Sequence, residues 1–238
     1  ETIRTLRRKL EQHMPERGNT ILITSALENE GKSTIAVNLA LSLAQKHKRV
    51  LLVDCDLRKP ACRKILEIPA VQHETLEVLR GTAAPGDAIV RASDTSTLSL
   101  LLQTQSVRNS SKFVSSSAMA AFLDAVRSRY DYVILDTPPI SAGSDAEALA
   151  ELADAAVLVV RQNQAGTALL RACVSTLRGT NAKLLGCVLN DCHASILSEQ
   201  SSYGYGYGYG YGYGYGHYGH YGKYGKYGAY DAARKDGR

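Results

Sequence analysis

Ile3, Leu6, Leu10 and Met14 recur at helical spacing, charged residues fill the positions between them, and Pro15 ends the pattern. This predicts an amphipathic helix ahead of the main domain. Beyond it the period changes. Asn19–Ser25, Arg49–Asp54, Asp131–Asp136, Ala155–Val160 and Lys183–Asn190 are runs of consecutive apolar residues, as in strands covered on both faces. Between them, a helix is expected from Gly31 through Ile35, Val37, Leu39, Ala40 and Leu43, with others over 114–129, 144–153 and 167–178. Alternating β and α units predict an α/β fold, a doubly wound and mostly parallel sheet. The segment 92–113, rich in Ser and Thr, offers one short apolar run, Leu98–Leu102, and is placed by neither period.

From Tyr203 the pattern stops. Tyr-Gly dipeptides give way to His-Tyr-Gly and Lys-Tyr-Gly triplets, and Tyr203, Tyr205, Tyr207, Tyr209, Tyr211, Tyr213, Tyr215, Tyr218, Tyr221, Tyr224, Tyr227 and Tyr230 include all but two of the 14 tyrosines. Glycine at every second or third place raises the entropy cost of ordering, and no branched aliphatic residue offers a core, so disorder is the expectation. Three regions follow: a helix over 1–17, a folded domain over 18–198 and a tail over 199–238.

A chain of 238 residues with a 45% apolar fraction suffices for one α/β domain. Its five cysteines are scattered and never spaced as Cys-x-x-Cys, which indicates neither a disulfide framework nor a zinc site and suits a reducing compartment. The net charge of +5 is distributed along the chain and gives no reason to expect a nucleic-acid partner. No apolar run approaches the ~20 residues that span a bilayer. Because the chain opens inside a charged amphipathic segment, it reads as part of a longer protein.

Ala26-Leu-Glu-Asn-Glu-Gly-Lys-Ser-Thr34 lies between a strand and a helix and matches a phosphate-binding loop, with alanine in place of the usual first glycine. In such loops the backbone N–H groups, here of Glu30, Gly31 and the residues after them, enclose phosphates at a helix N-terminus. Lys32 would neutralise the β- and γ-phosphates, and the Ser33 hydroxyl would ligate magnesium. Asp54, Asp56 and Asp136 end apolar strands beside this loop. Carboxyl ends of parallel strands meet in one crevice, so the three carboxylates should converge there.

These residues resemble the bacterial tyrosine kinases attached to exopolysaccharide and capsule export systems. The resemblance rests on Glu1-x-x-Arg4-x-x-Arg7, the Ala26–Thr34 loop, Asp54-x-Asp56-x-Arg58-x-Pro60, Val133-Ile-Leu-Asp136-Thr-Pro-Pro139 and the terminal tyrosines, in the family's order. It implies a P-loop fold of the deviant Walker A type that binds ATP and Mg2+. Thr34 would lie beside the α-phosphate, and Ser33, Asp54 and Asp136 around the metal. One of Asp54 and Asp56 would accept the tyrosine proton, and Asn190 would meet the adenine. Glu1, Arg4 and Arg7 would join subunits into a homo-oligomeric ring, an octamer being the candidate size, in which one tail enters its neighbour's site. The further partners implied are a membrane polysaccharide co-polymerase domain, fused or separate, and an opposing tyrosine phosphatase, at the cytoplasmic face of the bacterial inner membrane. Two departures from the family pattern stand out. Asn29 replaces a loop glycine and must tolerate a left-handed backbone, and Gln103–Ser111 replaces a proline-rich stretch.

Two rival readings exist. A partitioning or cell-division ATPase usually has a signature lysine where Leu27 stands, and lacks a tyrosine tail. An interaction module would use the tail for stacking, with nucleotide as a structural ligand.

Overall fold

The computed structural model describes residues 2–93 and 96–192, so Glu1 and the twelve tail tyrosines from Tyr203 to Tyr230 lie outside the described residues. The elements run α1 (Thr2–His13), β1 (Thr20–Ser25), α2 (Lys32–Ala44), β2 (Val50–Asp54), α3 (Cys62–Ile65), α4 (Thr75–Arg80), α5 (Pro85–Ala88), β3 (Val90–Arg91), β4 (Leu98–Leu101), α6 (Ser111–Val114), α7 (Ser117–Arg127), β5 (Tyr132–Asp136), a 3-10 turn (Ile140–Ala142), α8 (Asp145–Leu152), β6 (Ala155–Arg161), α9 (Thr167–Arg178) and β7 (Lys183–Asn190). The seven strands form one sheet in the order β3-β4-β2-β5-β1-β6-β7, parallel except for the short β3. This is the doubly wound sheet expected from the alternating periods.

Successive strand residues face opposite ways, and both sets are apolar. Leu22, Leu51, Val53, Val133 and Leu135 join Met119, Phe122, Leu149 and Leu177 in one core. Ile21, Ile23, Leu52 and Ile134 join Ile35, Leu39 and Leu43 in the other. Leu10 is buried in this second core, with Ile3, Leu6 and Met14 packed beside it. The N-terminal amphipathic helix thus lays its apolar face on the domain.

Three expectations change. The helix expected over 114–129 is found as α7 but begins later, because Ser116 turns to an extended φ of −86° and ψ of 161°; the short α6 before it falls in the segment that neither period places. The segment with no clear period supplies β4, parallel to β2, and just before it the unexpected β3 pairs antiparallel at the sheet edge. β7, whose apolar run predicts a fully covered strand, forms the opposite edge and stays partly open, with Leu189 56% exposed. A strand paired on one side has fewer neighbours to cover it, and composition does not distinguish the two situations.

The entry into β1 depends on one side chain. Asp154 Oδ2 accepts the backbone N–H of Asn19 at 2.9 Å and of Thr20 at 2.8 Å, fixing where the central strand begins. Asp154→Ala leaves both donors without that acceptor and is expected to cost about 1–3 kcal/mol. Equilibrium urea unfolding measures this, and Asp154→Asn, which retains an acceptor oxygen, should lose less.

Candidate active site

The site is built where β1, β2 and β5 end. In the β2–β5 ladder Val53 pairs with Leu135 and Asp54 pairs with Asp136, so strand register alone sets two carboxylates side by side. Both are fully buried, and Asp56 is nearly so. Lys32, at the first position of α2, reaches across to them. Its Nζ lies 2.8 Å from Asp56 Oδ2 and 3.9 Å from Asp136 Oδ1, and it donates to Ser33 Oγ at 3.2 Å. The expected convergence of three carboxylates on the loop lysine is therefore observed.

The loop that delivers Lys32 needs a left-handed backbone at two places, Asn29 (φ 62°) and Gly31 (φ 90°). The asparagine that replaces a loop glycine adopts the conformation expected of it. The first-turn N–H groups of Lys32, Ser33 and Thr34 lack intrahelical acceptors and are positioned for an anion.

Two residues read from the sequence as nucleotide contacts have their side chains committed to the loop itself. Buried Glu30 accepts the Leu27 N–H at 2.6 Å and the Arg161 N–H at 3.2 Å. Asn190 Nδ2 donates to the Glu30 carbonyl at 2.9 Å. A Cβ on Gly31 would come within 2.2 Å of that amide nitrogen. Gly31→Ala therefore combines a disfavoured φ with a clash, and is expected to cost roughly 1–3 kcal/mol and nucleotide binding with it. Thermal unfolding and fluorescent-nucleotide titration check the two effects separately.

Burial pushes the Asp54 carboxyl well above the usual range, and the charges of Asp136 and Asp56 add to this. Burial also raises Asp136, with the Lys32 ammonium opposing the shift. For Lys32, burial disfavours the charge, but Asp136 and Asp56 outweigh it and hold the ammonium above its ordinary pKa. One lysine thus faces three almost wholly buried carboxylates.

Three features of the site were not read from the sequence: the place of Cys62, the partners of Arg58, which the sequence offers only as a motif position, and the course of 103–111. The Cys62 thiol, at the start of α3, donates to Asp136 Oδ2 at 3.3 Å, while its backbone N–H donates to Asp54 Oδ2 at 3.1 Å. Burial, then the charges of Asp54 and Asp136, pushes this thiol well up. Arg58 is held by buried Asp145 at 3.1 Å, by Ser110 at 3.1 Å and by Ser111 at 3.0 Å. The 103–111 segment follows this anchor, with Ser106 Oγ on the Arg58 carbonyl and the Val107 N–H on the Leu57 carbonyl. It straps down the stretch that carries Asp56.

The remaining predicted residues lie apart. Thr34 is exposed at the first turn of α2. Arg4 is exposed on α1, whereas Arg7 turns inward, donating to the Ser42 carbonyl at 2.9 Å and lying 3.8 Å from Glu11.

A left-handed Gly-Lys-Ser turn between a central strand and its helix, facing two adjacent strand-end aspartates, defines a P-loop nucleotide-binding protein. An AAA-domain family model matches residues 19–184. The chain is 35% identical over 205 residues to the tyrosine-protein kinase YwqD of Bacillus subtilis, covering 86% of each. It is 32% identical to the succinoglycan biosynthesis transport protein ExoP of Rhizobium meliloti, spanning 85% of this chain but 26% of that protein. The crystal structure of the VpsO kinase domain superposes with a TM-score of 0.72 at 34% identity, covering 80% of this chain and 94% of that one. The chain belongs to the bacterial tyrosine kinases.

Proposed function

We propose that this chain is an ATP-dependent tyrosine autokinase whose acceptors are the tyrosines between Tyr203 and Tyr230, phosphorylated in trans within a homo-oligomeric ring. The observation that carries the reading is Asp56 held 2.8 Å from Lys32 beside the Asp54–Asp136 pair. That combination supplies a phosphate-binding cation and a separate carboxylate able to take a proton.

The residues present fit a divalent cation. Asp54 Oδ1 and Asp136 Oδ1 are buried without a hydrogen-bond partner, a costly state unless a cation is available to them. With Ser33 they would hold the Mg2+ of a bound nucleotide, which supplies charge neutralisation across the phosphates. Before nucleotide arrives Lys32 rests on Asp56. Incoming β- and γ-phosphates draw the ammonium away, and the same movement releases Asp56. A tyrosine hydroxyl, with an unperturbed pKa of about 10, then loses its proton to Asp56 as its oxygen attacks the γ-phosphorus. ADP is the leaving group. Asn190 and Glu30 keep the loop rigid throughout, and the Arg58–Asp145 anchor keeps the Asp56 stretch in place.

The tail suits multiple phosphorylation because its twelve tyrosines recur at every second or third place and each is a candidate acceptor. Lys223, Lys226, Arg234, Lys235 and Arg238 face two acidic residues, Asp231 and Asp236. Each phosphate adds about −1.5 to −2 charges, so a few reverse the sign of the tail. In this reading phosphate number controls whether tails engage neighbouring subunits, with exposed Arg4, together with Glu1 and Arg7, at the ring contact. The likeness to ExoP, a protein named for succinoglycan biosynthesis and transport, supports a role in polymerising and exporting an extracellular polysaccharide at the inner face of a bacterial membrane. A co-polymerase domain and an opposing phosphatase complete the cycle. Among the described residues no helix is long and apolar enough to cross a membrane.

Incubation of the chain with Mg-ATP, followed by intact mass and site mapping, tests the reading. Several phosphates on the tail tyrosines are expected. Steady ATP hydrolysis with an unmodified tail would overturn the reading in favour of a switch ATPase.

A further inference from the structure

The carboxylate pair has a third neighbour. The atoms through which Asp54, Cys62 and Asp136 would ligate a metal all lie within 4.8 Å of one another, and all three residues are buried. This is more than a thiol filling space in a core. Cys62 Sγ is already oriented toward one of the two aspartates, at 3.3 Å from Asp136 Oδ2. Asp54 and Asp136 each also present a second oxygen, buried and without a hydrogen bond.

We infer that Asp54, Cys62 and Asp136 form a mixed oxygen and sulfur site for a thiophilic divalent cation of the zinc class, and that such a cation inhibits the enzyme by occupying the position magnesium needs. The inhibitory part rests on the reading of Asp54 and Asp136 as the cation ligands of a nucleotide-dependent kinase.

The chemistry favours zinc over magnesium for this set. Mg2+ is hard, demands near-octahedral oxygen ligation and gives up its waters reluctantly. Zn2+ accepts thiolate and carboxylate together in a four-coordinate site, and thiolate is the ligand that selects it. On binding, the Cys62 S–H bond breaks, a sulfur–zinc bond forms and the proton leaves to solvent, with no change of oxidation state. The cation also competes with Lys32 for Asp136, whose Oδ1 lies 3.9 Å from the ammonium. Zinc would therefore weaken the carboxylate contacts that position this lysine, while its thiolate bond lets it outlast exchange with magnesium.

The direct probe is cadmium, whose thiolate bond gives an ultraviolet charge-transfer band that oxygen and nitrogen ligands do not. The full chain would carry Cys187→Ser and Cys192→Ser, since those two thiols are exposed. Titration is expected to produce the band with one equivalent of cadmium, and zinc should erase it by displacement. Adding Cys62→Ser should abolish the band, with Cys62→Ala as the check that loss of sulfur is the cause. Asp136→Asn should weaken binding at least about tenfold. Circular dichroism verifies that each variant is folded. In parallel, the zinc concentration that halves tail phosphorylation, scaled to each protein's own rate in magnesium, should rise at least about tenfold in Cys62→Ser.

Absence of the band from the starting protein, its persistence without Cys62, or unchanged affinity in Asp136→Asn overturns the site. Equal zinc sensitivity with and without Cys62 overturns the inhibition. The two readings fail separately. A cadmium band in a chain that transfers no phosphate leaves the site standing and removes the kinase reading, whereas phosphorylation without the band does the reverse.

Discussion

Lys32→Met is expected to lower tail phosphorylation by roughly a hundred- to a thousandfold, the range for losing one preorganised charge at a reacting centre. The size follows from what surrounds this side chain. Lys32 lies 2.8 Å from Asp56 and 3.9 Å from Asp136, and its ammonium stays charged despite burial because those carboxylates outweigh the cost of desolvation. Methionine has similar length and fills the same space, so the loss is one of charge. Phosphate negative charge would then enter a pocket already rich in carboxylates, and the transferring group would lack its counter-charge. Turnover should fall more than nucleotide affinity, because the N–H groups at the start of α2 remain. The protein itself should lose about 3–5 kcal/mol of stability, since a buried ion pair is broken from one side. Phosphate incorporation at saturating Mg-ATP, with thermal unfolding beside it, measures both. Full phosphorylation by folded Lys32→Met protein would end the self-kinase reading.

The fold was legible because its signals are local. β1, β2, β5, β6 and β7 are continuous apolar runs and α1, α2, α7, α8 and α9 are periods, so their order and the convergence of Asp54 and Asp136 at adjacent strand ends could be read without coordinates, whereas the short elements between β2 and α7 could not. The left-handed turn at Asn29 was legible for the same reason, a single residue type suited to a single backbone state. Contacts across the chain were less accessible. Asn190 and Glu30 are 160 residues apart, and nothing in either neighbourhood indicates that one amide braces the other's carbonyl. Arg58 finds Asp145 at a separation of 87 residues, and Asp145 reads in sequence as an ordinary acidic residue in a first helical turn. Cys62 belongs to no spacing pattern. Its placement against Asp136 depends on how the chain turns after Pro60. The edge position of β7 was hidden because an edge strand and a covered strand draw on the same residues.

Asp56→Asn separates the proton acceptor from the metal ligands. Among the three carboxylates, Asp54 and Asp136 are paired in register at the sheet and fully buried, whereas Asp56 lies beyond β2 and holds Lys32 at 2.8 Å, with its other oxygen on the Lys59 N–H at 3.0 Å. In the proposed mechanism it is the carboxylate that nucleotide binding would release as Lys32 moves to the phosphates. Asparagine is nearly isosteric and preserves an oxygen for the Lys59 N–H, but it cannot take a proton from tyrosine. The expected loss of kcat is about a hundred- to ten-thousandfold, as for removal of a positioned general base. The KM for ATP should stay level or fall, because the amide holds Lys32 less tightly than the carboxylate did and the ammonium becomes easier to draw toward phosphate. That combination, slower turnover without weaker nucleotide binding, distinguishes a base from a metal ligand, whose loss should raise the concentrations of magnesium and ATP required. Retention of more than about a tenth of the turnover would transfer the proton-accepting role away from Asp56. Asp54 would then be the remaining candidate, since it shares the site and its carboxyl has a raised proton affinity.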